Sequence, residues 1–159
     1  MELMWKTERL KVSLSQYNSY DYSWERAYFD GHNGGYLVIC KERITQGNIN
    51  KQEKEKYDKE YSMCMILVQN GYRVEYLKMT EGSFDIYLNG KSADLKKTAG
   101  SGNIVKYAKK AIEKQGAEIV VFEFEKETAR IKEELKVLKE KGTKVKYYFS
   151  NNPDKIMDL

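Results

Sequence analysis

Between positions 84 and 97 the chain reads FDIYLNGKSADLKK, two short alternating runs joined by Asn89-Gly90. An Asn-Gly pair in that setting is a strong hairpin signal, because the tight turn that suits twisted strands needs positive φ at both central residues. A two-residue loop also fixes the strand register, since a slip by one residue would turn every side chain to the other face. With Asn89 and Gly90 at the tip, Leu88 faces Lys91, Tyr87 faces Ser92, and Asp85 faces Asp94. Directly opposed residues have Cβ atoms about 4.5–5.5 Å apart, so two carboxylates are expected side by side, with Lys96 one pleat further along the same face.

The flanking segments supply the rest of an α/β plan. An apolar run at 36–40 after Gly34-Gly35 reads as a buried strand, and 45–52 as a polar linker. Over 53–70 the positions Tyr57, Tyr61, Cys64, Leu67 and Val68 recur at helical spacing, with Asn70-Gly71 as the stop. Strands follow at 72–78, 84–88 and 92–97. A helix over 103–114 carries Ile104, Ala108, Ala111 and Ile112 on one face, and Ser101-Gly102-Asn103 is expected to cap it. The β-branched run 119–124 is a strand. A helix over 126–141 follows, with Thr128, Ile131, Leu135 and Leu138 as its stripe, and a strand at 144–149 closes the order. The expected architecture is a mixed central sheet flanked by helices. Positions 1–33, rich in aromatics but without sustained periodicity, read as a cap or extension, 34–150 as the main domain and 151–159 as a tail.

Bulk properties set limits. A chain of 159 residues is the size of one ordinary domain. No stretch approaches the roughly 20 apolar residues that cross a bilayer, and the first residues carry no signal-peptide pattern. Cys40 and Cys64 lack metal-ligand spacing with each other or with the single histidine, His32, so both read as small apolar residues and His32 as a loop residue. A net charge of +4 permits a nucleic-acid partner without requiring one.

Opposed like charges destabilise a hairpin, so something positive belongs beside Asp85 and Asp94. One candidate is Lys96 or a neighbouring lysine in a solvated cluster. The other is a hard divalent cation, Mg²⁺ before Mn²⁺ or Zn²⁺, held by the two carboxylates and the Leu95 backbone carbonyl. Such a cation polarises a phosphate, and an adjacent ammonium orients a nucleophile or stabilises developing charge.

Phe84-Asp85, Asn89-Gly90 and Asp94-Leu95-Lys96 together resemble the signature of the PD-(D/E)XK nuclease superfamily. Upstream, Glu60, Met63, Leu67 and Gly71-Tyr72 are similar to the E-x-x-A-x-x-x-L-x-x-x-G-Y helix that opens this fold in several branches. The resemblance implies a restriction-endonuclease-like core of helix, three strands, helix and strand, with catalytic roles for Asp85, Asp94, Lys96 and Glu60, the last reaching the metal site. Phe84 stands where the family has proline, Asp94 where glutamate is more frequent, and Met63 where alanine is usual. More narrowly, Gly34-Gly35-Tyr36, Asn70-Gly71-Tyr72-Arg73-Val74 and Lys110-Ala111-x-x-x-Gln115 are similar to the C-terminal toxin domains of contact-dependent growth inhibition (CdiA-type) proteins.

That resemblance implies a metal-dependent ribonuclease with tRNA as leading substrate, an immunity protein as partner, and action in the bacterial cytoplasm after delivery within a larger secreted or mobile-element protein. Lys106, Lys109, Lys110 and Lys114, on the helix after the D-x-K strand, and Gln115 at its end, are the candidate nucleic-acid contacts; a solvated basic helix face is the alternative. Two other functions stay open: a non-catalytic nucleic-acid-binding or mobile-element structural module with the same fold, and a DNA-directed nuclease. Lys97, on the opposite face, reads as structural. Tyr57, Tyr61 and Tyr72 are expected in the core.

Overall fold

The computed structural model describes residues 2–99 and 102–159. In place of the single domain expected, the chain divides into two compact units, residues 1–79 with 87–90, and residues 80–86 with 91–159. No helix among the described residues is long and apolar enough to cross a membrane.

The first unit contains α1 (Glu2–Ser19), β1 (Trp24–Phe29), β2 (Tyr36–Cys40), α2 (Lys41–Gly47), α3 (Lys51–Gln69) and β3 (Arg73–Tyr76). Strand β2 pairs antiparallel with β1 and parallel with β3, with Ile39 opposite Tyr76. Residues 1–33, expected as an irregular cap, therefore hold a helix and a strand of the sheet. Glycine and proline are absent from positions 1–19, which leaves good helix formers uninterrupted even though their apolar positions are scattered. The linker expected at 45–52 is likewise shortened, because α2 runs to Gly47 and α3 begins at Lys51. Asn50 starts α3 by accepting the Glu53 amide hydrogen, and Gly71, at φ 92°, ends it.

Alternation along β2 decides what each face buries. Tyr36 meets the rings of Tyr17 on α1 and of Tyr20 just after it. Leu37 and Ile39, one residue out of phase, join Val74 and Tyr76 under α3, where Met63, Cys64, Leu67 and Val68 are buried. Tyr57, Tyr61 and Tyr72 are only half-buried. The tyrosine closed off in this core is Tyr76, stacked 5.4 Å from Tyr57.

Strand β4 (Ile86–Leu88) is shared between the units, and Asn89-Gly90 follows it with φ of 49° and 83°, the sign pair of the expected turn. The second unit contains β5 (Lys91–Thr98), α4 (Ile104–Glu113), β6 (Ile119–Phe124), α5 (Ala129–Glu140), β7 (Val145–Phe149) and β8 (Asn152–Asp158). Strands β5, β6 and β7 are parallel, and β8 is antiparallel to β7. The expected tail at 151–159 is thus a strand. Both units are mixed α/β, and the chain order α3, β3, β4, β5, α4, β6 matches the core order read from the sequence.

Val120, Phe122 and Phe124 pack with Ile104, Ala108 and Ala111 of α4 and with Ile131, Leu135 and Leu138 of α5. Full burial of one such large side chain contributes about 1.5–3 kcal/mol, so this stripe anchors both helices. Two positions depart from their expected periodicity. Ile112 is exposed, and Thr128 is the N-cap of α5, accepting the Ile131 amide hydrogen. Asn103 precedes α4 without a side-chain capping bond; its Oδ1 accepts from Arg130 at 2.7 Å instead. Ser101 lies outside the described residues.

Candidate nuclease site

The ladder register puts Asp94 beside Val120 and Lys96 beside Phe122 on adjacent parallel strands. Paired residues there share a face, so Asp94 and Lys96 project on the side of β6 that α4 covers. Both are half-buried, whereas Leu95 between them is buried on the other side. Lys97 follows Leu95 to that other face and binds Glu123 at 3.1 Å, as a structural lysine should.

Asp85 does not sit in the ladder. Strand β4 begins one residue later, and the Asp85 amide donates to the Ala93 carbonyl at 3.1 Å. Its carboxylate Oδ2 accepts the Leu95 amide hydrogen at 2.8 Å. In an uninterrupted ladder of this register, the Leu95 N–H would meet the Phe84 carbonyl; the Asp85 side chain takes that place. The simple face-to-face pairing of Asp85 and Asp94 is therefore replaced by a bracket, with Asp85 bonded to the residue on each side of Asp94. The physical reason is that an opposed carboxylate pair in a regular ladder carries uncompensated repulsion. Turning one carboxylate to a backbone donor gives it a hydrogen bond and a fixed orientation.

Leu95 also bears on the donor set. In an extended residue the N–H and C=O point to the same strand edge, so the Leu95 carbonyl faces the side on which Asp85 lies. Two carboxylates and a carbonyl are all hard oxygen donors, a set that fits Mg²⁺ or Mn²⁺, since Mg²⁺ is commonly held by one or two carboxylates with water and substrate oxygens completing its shell. Among the described residues no group of three or more His, Cys, Asp or Glu side chains is gathered as a self-sufficient metal cage.

Glu60 belongs to the first unit. It lies on α3, where its Oε2 is 3.8 Å from the Arg43 guanidinium and its Oε1 is 3.5 Å from the Tyr76 hydroxyl, which donates to it. Arg43 is only 1% exposed and stands over the rings of Tyr57 and Tyr76 at 5.3 and 5.2 Å. A buried guanidinium needs a counter-charge, and Glu60 is the carboxylate that supplies it. A lone arginine beside an apparently polar linker carries no burial signal, so nothing in the sequence marks Arg43 for this role.

The lysines of α4 are all exposed. Lys106, Lys110 and Lys114 follow one another at intervals of four, hence on one stripe. Lys109 is offset, lining a groove of about 740 Å³ with Leu138, Lys141 and Lys144 of the α5 side. Gln115 closes the helix end with its amide donating to the Lys110 carbonyl at 3.2 Å. A further member of the helix, Tyr107, has its ring 4.2 Å from the Lys96 ammonium.

One more carboxylate is unmarked in the sequence. Glu123, 4% exposed, accepts from the hydroxyls of Tyr148 and Ser150 at 2.6 and 2.7 Å and from Lys97. Burial pushes its pKa up, but those three donors and the lysine charge outweigh burial and hold it below the ordinary value. Its position within β6 makes it look like one more residue of an apolar strand.

No protein-family model matches the chain, and no curated protein sequence matches it. Among solved structures, the chain is similar to one from the "CdiA-CT/CdiI toxin and immunity complex from Burkholderia pseudomallei". Identity is 18%, the TM-score is 0.51, and the match covers 70% of this chain and 89% of that one. At that level of identity the likeness is one of fold: this chain shares its mixed α/β architecture with a chain of a toxin and immunity complex.

Proposed function

We propose that this chain is a metal-dependent endonuclease that hydrolyses phosphodiester bonds in RNA, with tRNA as the leading substrate, and that it acts as the toxin domain of a larger delivered protein. The observation that carries the reading is the bracket of Asp85 around Asp94 with Lys96 one pleat further on the same face. Asp85, Asp94 and the Leu95 carbonyl would hold a divalent cation, Mg²⁺ by the oxygen-only donor set, and that ion supplies Lewis-acid polarisation of the phosphate when bound. Asp85 is oriented by the Leu95 amide, which fixes where its remaining lone pairs point. Lys96 donates to a non-bridging phosphate oxygen and stabilises the charge that grows on it during attack. The stripe Lys106, Lys110 and Lys114 grips the flanking phosphates.

The likeness of fold to a chain of a toxin and immunity complex supports the toxin part of the reading. On that reading the domain acts in the cytoplasm of a recipient bacterium and is met by a dedicated immunity protein that covers the basic face. The test weighs this reading against a second, a nucleic-acid-binding module without catalysis.

The deciding experiment incubates the protein with tRNA, single-stranded DNA and duplex DNA in Mg²⁺, Mn²⁺ or Zn²⁺, with and without a chelator. Cleavage of tRNA that needs the metal and vanishes in Asp94→Asn supports the first reading. Binding that survives the chelator, with no cleavage of any substrate, supports the second, and preferential cleavage of DNA replaces the substrate assignment.

A further inference from the structure

We infer that Tyr107 is the positioning residue for Lys96, holding the ammonium over its ring so that the charge is fixed in place and left unneutralised for the substrate phosphate. The inference rests on the catalytic reading of Lys96 given above.

The two residues come from different elements. Lys96 projects from β5 on the face that α4 covers, and Tyr107 stands in the first turn of α4, where its amide donates to the Asn103 carbonyl at 3.0 Å. The ammonium lies 4.2 Å from the ring centroid, inside the range over which the negative face of an aromatic ring attracts a cation. Among the described residues Lys96 takes part in no ion pair, although its neighbour Lys97 is tied to Glu123 at 3.1 Å. The difference matters chemically. A carboxylate partner would both locate an ammonium and cancel its field, whereas a ring locates it and leaves its charge and three N–H donors for an incoming phosphate oxygen.

Tyr107 is also placed as a supporting side chain from a second element should be. It is 40% exposed, so the ring forms part of the surface a substrate meets. A Cβ built on Gly102 would lie 3.7 Å from the ring and 2.9 Å from the Thr98 hydroxyl. Because Lys96 is a flexible four-carbon chain with large rotamer freedom, restricting it to one rotamer family raises the fraction of time the ammonium is correctly placed, an effect on the chemical step more than on substrate binding.

The test compares wild type with Tyr107→Phe, Tyr107→Leu and Lys96→Ala in metal-dependent tRNA cleavage, with melting measured for each. Phenylalanine keeps the ring face, so Tyr107→Phe is expected to hold kcat within about twofold. Tyr107→Leu keeps apolar bulk without the ring face and is expected to lower kcat by about 2- to 30-fold with KM little changed, the range that cation–π attraction spans. NMR adds a readout independent of turnover: the Lys96 Cε protons are shifted upfield by the ring in wild type and Tyr107→Phe, and return to their ordinary position in Tyr107→Leu. If Lys96→Ala loses cleavage but Tyr107→Leu keeps wild-type kcat, the positioning role is overturned while the catalytic reading stands. If Tyr107→Phe falls as far as Tyr107→Leu, the hydroxyl and not the ring is responsible, and the inference is again overturned. If Lys96→Ala cleaves as wild type does, both readings fall together.

Discussion

The carboxylate of Asp85 accepts the amide hydrogen of Leu95 at 2.8 Å, filling a place in the hairpin ladder that a backbone carbonyl would otherwise occupy. One side chain is thereby asked to serve structure and site at once, and substitutions can separate the two duties. Asp85→Asn keeps an acceptor for Leu95 and is expected to fold with stability close to wild type while losing metal-dependent cleavage. Asp85→Ala leaves the amide of a nearly buried residue without its partner, at a cost of about 1–3 kcal/mol, and is expected to be both inactive and less stable. Urea unfolding beside the cleavage assay checks both; equal stability of the two variants would remove the structural duty, and cleavage by Asp85→Asn the catalytic one.

Arg43 and Glu60 form a part of the first unit's interior that depends on charge balance. Arg43→Met is expected to cost about 3–5 kcal/mol, because it leaves the Glu60 carboxylate poorly exposed and without its counter-charge. The double variant Arg43→Met with Glu60→Gln is expected to recover much of that loss. A double-mutant cycle from urea midpoints gives the coupling, and additive single effects would mean that the 3.8 Å pair contributes little.

Stability should depend on pH through Glu123. Its folded pKa is held below the ordinary 4.5 by Tyr148, Ser150 and Lys97 against the opposing effect of burial. A depressed carboxylate stabilises the fold fully above the unfolded pKa and loses that contribution as pH falls through the folded value. Wild type is therefore expected to exceed Glu123→Gln by about 1–3 kcal/mol at pH 7, with the gap closing below about pH 4.5. Denaturation midpoints of both proteins across pH 3–7 measure the gap; a constant difference would mean that ionisation of Glu123 is not what stabilises.

For the basic stripe on α4, the expected signature is in salt dependence. Replacing Lys106, Lys110 or Lys114 by alanine is expected to weaken RNA binding and to reduce the slope of log K against log salt by roughly 0.7 for each phosphate that the missing ammonium no longer neutralises. Lys109→Ala, facing the groove toward α5, is expected to change the slope less. Fluorescence titrations at a series of salt concentrations suffice, and unchanged slopes for every variant would assign the stripe to solvation alone.

Much of the architecture is legible in the chain itself because it depends on neighbours in sequence. The 3.6-residue spacing of Cys64, Leu67 and Val68, the unbroken apolar run of β6, and the φ signs demanded of Asn89 and Gly90 are local facts, and helix α3, strand β6 and the turn appear where those facts put them. The edge strands are hidden for the opposite reason. Strand β8, with its Pro153 and alternating polar residues, looks like a tail because an edge strand needs backbone pairing more than apolar side chains, and β1 is half polar on the same account.

Sequence alone therefore determined the central elements from α3 to β7, the hairpin turn and the spacing that sets Asp94 and Lys96 on one face, since each follows from local dihedral preference and the periods of helix and strand. Tertiary structure alone decided that Asp85 leaves the ladder for the Leu95 amide, that Glu60 answers to Arg43, and that the ring of Tyr107 holds Lys96. Those three outcomes turn on charges and rings brought together from separate elements, where the cost of an unpaired charge or an unmet donor is felt only once the chain has folded around it.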